Sequence, residues 1–263
     1  MTARLGTVLV EKPWGRDRLP ANFAGTDGRR VGEVWFTGGD ELPLLAKYIF
    51  TSEKLSIQVH PDSAQAEAMG VEGGKHECWL ILDAEPGATV GIGLTRQLTG
   101  EELRAAALDG SIEALVDWRP VAAGDFFYVP AGTVHAIGAG VSLLEFQQNG
   151  GVTFRLYDYG RPRELHLDQA IAVARPEPYL PSVQERVSEN EDRVLVDGPL
   201  FSLVHVASGD GHVLEEKRRW VMPLAGRAAA GGEEAGPGEC LLLEAGESLV
   251  LDGARVLIGA EFV

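Results

Sequence analysis

The chain has 263 residues, of which 45% are hydrophobic and 24% are charged, and this composition predicts a globular protein of one large domain or two small ones. Its formal net charge of −16 argues against binding to nucleic acid or to an anionic membrane surface, because both depend on clustered lysine and arginine. A small anionic substrate is still compatible with this charge if a few cations converge at one place.

The cysteine content and the absence of long apolar segments bear on the cellular compartment of the protein. Cys78 and Cys240 are too few for a disulfide framework, so a reducing compartment is expected. The first fifteen residues lack the apolar core of a signal peptide. No segment approaches the roughly 18 apolar residues that a membrane helix needs. We therefore expect a soluble, cytoplasmic protein.

Short apolar runs separated by glycine- and proline-rich turns predict a mainly β chain, and the 33 glycines are suited to tight turns. The predicted strands cover residues 6–10, 31–37, 44–50, 55–60, 75–82, 126–129, 141–147 and 152–159, with residues 12–20 irregular. Helices are predicted at 62–69, at 165–174 and, as two short helices, over about 98–118. Asp62 is a possible N-cap of the first, and Thr99 with Glu102 fits a capping box. This pattern favours an all-β sandwich or jelly roll with a short helical insertion.

A metal site is predicted from residues of two strands and one turn. Gln58 and His60 share one face of their strand, because side chains alternate between faces. Glu77 lies on a polar position of the next strand, and His135 follows the turn Pro-Ala-Gly. Two imidazoles and a carboxylate suit Zn²⁺ with an open position, and they also accept Fe²⁺ or Mn²⁺. Gln58 would add a neutral oxygen.

Each ligand also has a purely structural interpretation. A single strand histidine such as His60 is more often a partly buried residue with its own hydrogen-bond partner, and Glu77 alone fits a solvated strand charge. The conjunction of these residues favours a metal. His76 falls on the face opposite Glu77 and is interpreted as structural.

Two further cations have two interpretations each. Lys47, in an otherwise apolar strand, is either an outward-facing charge or a cation inside a barrel. Arg155 is either a surface charge or a group that meets an anionic substrate.

The segment GDFFYVPAGTVH (124–135) resembles the second signature of the cupin barrels, with Gly124, Pro130, Gly132 and His135 at the expected spacing. The asparagine usually found four residues after the histidine is replaced by Ala139. Combined with LSIQVHPD (55–62), GKHECWLIL (74–82) and LLEFQQNGGVTFRLYDYGR (143–161), it is similar to type I mannose-6-phosphate isomerases of the short bacterial form. The resemblance is good over residues 8–175 and looser beyond them.

This resemblance implies two cupin-like jelly-roll β-barrels. We expect a catalytic domain over residues 1–190, which contains the helical insertion, and a smaller C-terminal, second cupin-like domain over 191–263. It also implies interconversion of mannose 6-phosphate and fructose 6-phosphate with one Zn²⁺ per chain.

The resemblance implies Gln58, His60, Glu77 and His135 as metal ligands, in agreement with the pattern, and it implies Lys75 and Arg155 as catalytic cations. Substrate binding has two weaker candidates, Lys47 and Arg161. The base that moves the proton stays open among Lys75, a metal-bound water and a histidine that leaves the metal.

The chain departs from the family pattern at residues 149–152, at Phe154 and at Ile137, which bear on substrate preference. Alternative functions are a metal cupin for another sugar phosphate, an Fe²⁺ enzyme of oxygen chemistry, and a non-catalytic sugar-phosphate-binding protein. The expected partner is a small sugar phosphate, and the sequence does not distinguish a monomer from a homodimer.

Overall fold

The computed structural model describes residues 2–23, 28–38, 42–179, 185–209 and 212–262. These residues form a mainly β structure, as predicted. In chain order the strands are β1 (Ala3–Arg4), β2 (Gly6–Arg16), β3 (Val31–Thr37), β4 (Leu44–Phe50), β5 (Ile57–Val59), β6 (Glu77–Ala84), β7 (Thr89–Leu94), β8 (Val116–Pro120), β9 (Asp125–Val129), β10 (His135–Ile137), β11 (Val141–Gln148), β12 (Phe154–Tyr157), β13 (Glu185–Arg186), β14 (Arg193–Asp197), β15 (Phe201–Val206), β16 (Arg219–Ala225), β17 (Ala228–Ala230), β18 (Glu233–Ala235), β19 (Leu241–Leu243) and β20 (Arg255–Glu261). The helices are α1 (Ser63–Met69), α2 (Gly100–Asp109), α3 (Ile112–Leu115) and α4 (Leu167–Val173).

Three large sheets are stacked face to face. The central sheet has the strand order β13-β9-β6-β11-β4-β3-β2. One of its faces packs against the helix-side sheet, β12-β5-β10-β7-β8, and the other against the C-terminal sheet, β1-β19-β16-β20-β15-β14. Ile49, Trp79 and Ile92 belong to the first interface, and Phe146 and Trp220 to the second.

The outer surfaces of the stack are also covered. Helices α2 to α4 pack on the far side of the helix-side sheet. The hairpin of β17 and β18 covers the far side of the C-terminal sheet. The helix-side sheet is therefore apolar on its outer face and free to be polar on the face toward the central sheet.

The sheets are open within the described residues, which corrects the prediction of closed barrels. The end strands of the central sheet, β2 and β13, each pair with one neighbour and not with each other. The end strands of the helix-side sheet, β8 and β12, behave likewise. Side-chain packing between two facing sheets, rather than a continuous hydrogen-bond ladder, encloses the interior.

Helix ends follow the predicted chemistry. The Thr99 hydroxyl accepts a hydrogen bond from Glu102 N and the Glu102 carboxylate accepts one from Thr99 N, so the predicted capping box is present. Asp62 caps α1 as predicted. Gly110 ends α2 with φ 82°, a left-handed conformation in which glycine is favoured.

Strands β3 and β4 have the predicted bounds, but residues 12–16 are not irregular. They continue β2 along β3 with register shifts after Val10 and after Glu11, so a bulge absorbs Pro13.

The segment 175–190, rich in proline and polar residues, is expected from sequence to be a linker before the boundary at residue 190; its residues 180–184 lie outside the described residues. On either side, Arg175 N donates to Gly132 O and β13 pairs with β9. We keep the division near residue 190 as a proposal. No helix among the described residues is long and apolar enough to cross a membrane.

A first prediction concerns the interface between the central and C-terminal sheets. A Cβ at Gly259 in β20 would lie 2.3 Å from the Phe146 ring, so an added methyl group would overlap that ring. We expect Gly259→Ala to lower the free energy of unfolding by about 1–3 kcal/mol, since overpacked cores are destabilised by that order. Urea denaturation followed by tryptophan fluorescence measures it. Gly6→Ala is the control, because its Cβ would meet Thr37 O at an ordinary 3.6 Å; equal midpoints in the two variants would contradict the prediction.

Candidate metal centre

Three buried ligands converge between the helix-side and central sheets. His60 directly follows β5, His135 opens β10, and Glu77 opens β6 on the opposing sheet. One ligand atom from each lies within 4.8 Å of the others. Glu77 Oε2 is 3.5 Å from His60 Nε2, and Glu77 Oε1 is 3.3 Å from His135 Nε2. Each of the three side chains is about 1% exposed.

Both histidines are held in the form that a metal requires. His60 Nδ1 lies 2.8 Å from Val152 O, and His135 Nδ1 lies 2.8 Å from Thr133 O. A carbonyl only accepts, so each Nδ1 carries the proton and each Nε2 offers a lone pair to the centre. Burial, together with the Lys75 charge, lowers the pKa of His60 well below its ordinary value. Burial also lowers the pKa of His135, although Glu77 opposes this.

The carboxylate completes a set of donors that fits a divalent cation. Burial alone would raise the pKa of Glu77, but the charge of Lys75, with that of Lys47, outweighs it and the pKa lies below its ordinary value. Glu77 is thus ionised, and its Oε2 is buried without a hydrogen bond of good geometry. Two neutral imidazoles and one carboxylate are the usual partners of a catalytic zinc.

Strand register brings Gln58 to the same centre. In the helix-side sheet Arg155, Gln58 and His135 are direct cross-strand neighbours on β12, β5 and β10. The Gln58 amide nitrogen lies 3.3 Å from His135 Nε2, and its oxygen accepts from Ser56 Oγ at 3.1 Å. Gln58 is therefore within reach of the centre, and its role as a ligand stays a prediction.

A row of alternating charges crosses the facing side of the central sheet. Lys75 Nζ lies 2.7 Å from Glu77 Oε2 and 3.4 Å from Glu145 Oε1. Lys47 Nζ is 3.0 Å from the same Glu145 oxygen and 3.9 Å from Glu33. Burial would lower the pKa of Lys47, but these carboxylates raise it above its ordinary value. Lys47 therefore points inward, and the outward-facing alternative is wrong.

The cavity beside the ligands is small and rich in charge. Its volume is about 70 Å³, and its lining includes Gln58, Lys75, Glu145, Arg155 and Arg163. A cavity of about 860 Å³ lies on the other side of the central sheet and shares none of these residues. We place the chemistry in the smaller cavity, because Glu77 of the ligand cluster lines it together with the lysines and arginines.

Arg161 does not line this cavity. Its guanidinium donates to Asp158 Oδ1 at 2.9 Å and to Lys54 O at 2.5 Å. Arg163, two residues later, is bound to both carboxylate oxygens of Asp158, at 2.5 and 2.7 Å, and does line it.

Sequence reasoning missed Arg163, Glu145 and Glu33. The signal for Glu145 was present in the sequence, since a lone carboxylate interrupts the apolar run 141–146 just as Lys47 interrupts β4.

The remaining histidines have other partners. His76 Nδ1 lies 3.0 Å from the Tyr128 hydroxyl, in line with its structural interpretation.

Comparison with known proteins agrees with this geometry. A family model described as "Phosphomannose isomerase type I, catalytic domain" matches residues 10–85, which include His60, Lys75 and Glu77. A mannose-6-phosphate isomerase of Streptococcus mutans is 41% identical over 170 residues, which are 61% of this chain and 53% of that protein. Mannose-6-phosphate isomerase ManA of Bacillus subtilis is 42% identical over 163 residues, 59% of this chain and 50% of that protein.

Over these stretches the chain is similar to type I phosphomannose isomerases. The aligned stretch spans about half the length of these two relatives. A solved mannose 6-phosphate isomerase of Bacillus subtilis superposes with a TM-score of 0.80 at 26% identity over 97% of this chain and 98% of that one. A second solved structure, described as holo and zinc bound, has a TM-score of 0.74 at 14% identity and covers 100% of both chains. These structures confirm the predicted cupin-type fold.

A second prediction tests the ligand set. His135→Ala should reduce bound divalent metal from about one ion per chain to near zero, since a zinc site rarely survives the loss of one of three protein ligands. Metal analysis after dialysis against trace Zn²⁺ measures it, with circular dichroism to check the fold.

His76→Ala is the matched control, because His76 adjoins Glu77 in sequence but is bound to Tyr128. Full metal content in His135→Ala would show that the centre is assigned wrongly.

Proposed function

We propose that the chain is a zinc-dependent isomerase that interconverts mannose 6-phosphate and fructose 6-phosphate. The observation that carries the proposal is that a triad of metal ligands lies beside a cavity lined by lysines and arginines that suit an anionic sugar. The names of the relatives and the zinc-bound state of one structural neighbour support the substrate and the metal.

Aldose–ketose isomerisation moves a proton between two adjacent carbons through an enediol-type intermediate. When bound, the zinc ion would polarise a substrate oxygen. His60, Glu77 and His135 would hold it, with Gln58 as the proposed fourth ligand. The reaction further needs a group that transfers the proton and a cation that stabilises the enediolate oxygen.

Lys75 and Glu145 are the groups we assign to these steps. Both are buried beside the ligands, and Glu145 Oε1 has no hydrogen bond of good geometry although two ammonium groups lie near it. The Lys75 ammonium stabilises negative charge on the substrate oxygens. Glu145 then accepts and returns the carbon-bound proton, which adds a candidate base to those considered from sequence.

Arg155 and Arg163 are the groups we assign to the phosphate. Arg155 Nε is buried and has no hydrogen-bond partner, and burial with the nearby Arg163 charge lowers the pKa of Arg155. Both guanidiniums line the cavity and are partly exposed. Two adjacent guanidiniums bind a phosphate through paired, charge-assisted hydrogen bonds. A cavity of about 70 Å³ cannot enclose a whole sugar phosphate, so we infer that the phosphate end lies toward these arginines.

The cations also favour the proposed isomerase over an Fe²⁺ enzyme of oxygen chemistry. A two-histidine, one-carboxylate site accepts Fe²⁺, but the reaction of an iron oxygenase does not call for four cations around one cavity, and this cavity is lined by Lys47, Lys75, Arg155 and Arg163. We further propose a cytoplasmic location, since Cys78 and Cys240 are both free and buried.

A third prediction tests the function directly. Purified protein should convert mannose 6-phosphate in a coupled isomerase assay, should lose turnover on chelation, and should regain it with Zn²⁺. Metal content is measured in the same samples. Metal-loaded protein that turns over no mannose 6-phosphate would refute the proposed substrate while leaving the metal centre in place.

A fourth prediction separates the two neighbouring arginines. Arg163→Gln should raise the KM for mannose 6-phosphate about tenfold or more, since it removes a charge-assisted phosphate contact. Arg161→Gln is the matched control, with the same chemical change two residues away and outside the cavity lining, and should leave KM near the wild-type value. If Arg161→Gln raises KM and Arg163→Gln does not, the roles must be exchanged.

A further inference from the structure

The ammonium group of Lys75 lies among the metal ligands themselves. Its Nζ is 2.7 Å from Glu77 Oε2 and 3.3 Å from His60 Nε2, which are ligand atoms of two of the three residues in the centre. The side chain is buried, so solvent does not screen its charge. A divalent cation held by the same atoms would therefore lie within a few ångströms of a second cation.

A carboxylate on the next strand holds Lys75 from the other side. Glu145 Oε1 lies 3.4 Å from Lys75 Nζ, and Lys47 Nζ lies 3.0 Å from that same oxygen. The second Glu145 oxygen accepts a hydrogen bond from Trp79 Nε1 at 3.1 Å, which fixes the carboxylate. Lys75 is thus shared between Glu77, within the ligand set, and Glu145, outside it.

We propose that Lys75 lowers the zinc affinity of the centre by competing with the metal for Glu77, and that Glu145 limits this competition by drawing the ammonium away. The inference rests on the proposed metal centre and deepens it. Like charges at contact distance in a buried site repel strongly, and groups next to the ligands commonly change metal affinity about 10- to 100-fold. The same ammonium is useful to the reaction, so the chain retains a group that weakens its own metal binding.

The test compares zinc affinity at equilibrium, without sugar phosphate. Metal-free Lys75→Met, which keeps the side-chain length and removes the charge, is titrated with Zn²⁺ in competition with a chromophoric chelator. We expect binding about tenfold or more tighter than wild type. Lys217→Met is the charge-matched control, because Lys217 stacks on Phe262 beside the C-terminal sheet, and its zinc affinity should equal that of wild type.

A double-mutant cycle tests the part played by Glu145. Glu145→Gln in the wild-type background should weaken zinc binding, because Lys75 is then held by Glu77 alone. The same substitution in the Lys75→Met background should have a much smaller effect, since the competing cation is gone. Equal effects in both backgrounds would show that Glu145 acts on the metal directly and would overturn this part.

Unchanged or weaker zinc binding in Lys75→Met would overturn the main inference. If that variant misfolds by circular dichroism, Lys75→Gln takes its place and is judged by the same criterion. The result is independent of turnover. Wild-type protein that isomerises mannose 6-phosphate while Lys75→Met shows no gain in affinity refutes the inference alone. Tighter zinc binding in Lys75→Met, together with metal-loaded wild-type protein that turns over no mannose 6-phosphate, refutes the proposed reaction alone.

Discussion

Ionised groups buried between two facing sheets are the constraint on which the centre depends. Glu33, Lys47, Lys75, Glu77 and Glu145 are all less than a tenth exposed, and a buried charge is tolerated only when it is paired. Alternating signs across neighbouring strands supply that pairing. Glu77, at the end of the row, is paired on one side by Lys75 and faces two neutral imidazoles on the other, so a cation satisfies it best.

Side chains alternate between the two faces of each strand. The central sheet can therefore present charged residues to the candidate metal centre and apolar residues to the core shared with the C-terminal sheet. In β4, Lys47 faces the centre while Tyr48 enters the core shared with the C-terminal sheet. In β11, Glu145 and Phe146 divide in the same way. A shift of register by one residue would exchange these faces, so packing against the C-terminal sheet also fixes which side chains face the candidate metal centre.

Much of this arrangement could be predicted from sequence because it follows from local signals. The period of two placed Gln58 and His60 together, and the Thr99 capping box and Gly110 bounded α2. Partners from distant strands were harder to predict. Asp158 binds both Arg161 and Arg163, but only Arg163 lines the cavity. The sequence around these two arginines does not distinguish them. The open edges of the sheets depend likewise on pairing between segments far apart in the chain.

The edge strand β1 pairs with a strand that lies more than 230 residues later in the sequence. Ala3 and Arg4 pair with Leu242 and Leu241, and Thr2 binds Glu247, so the beginning of the chain completes a sheet whose other strands come last. Such distant pairing closes slowly. Until the C-terminal strands leave the ribosome, the apolar back of the central sheet around Phe146 has nothing to cover it. We therefore expect the nascent protein to expose this apolar face during synthesis, a stage in which chaperones or a low expression temperature would favour correct assembly.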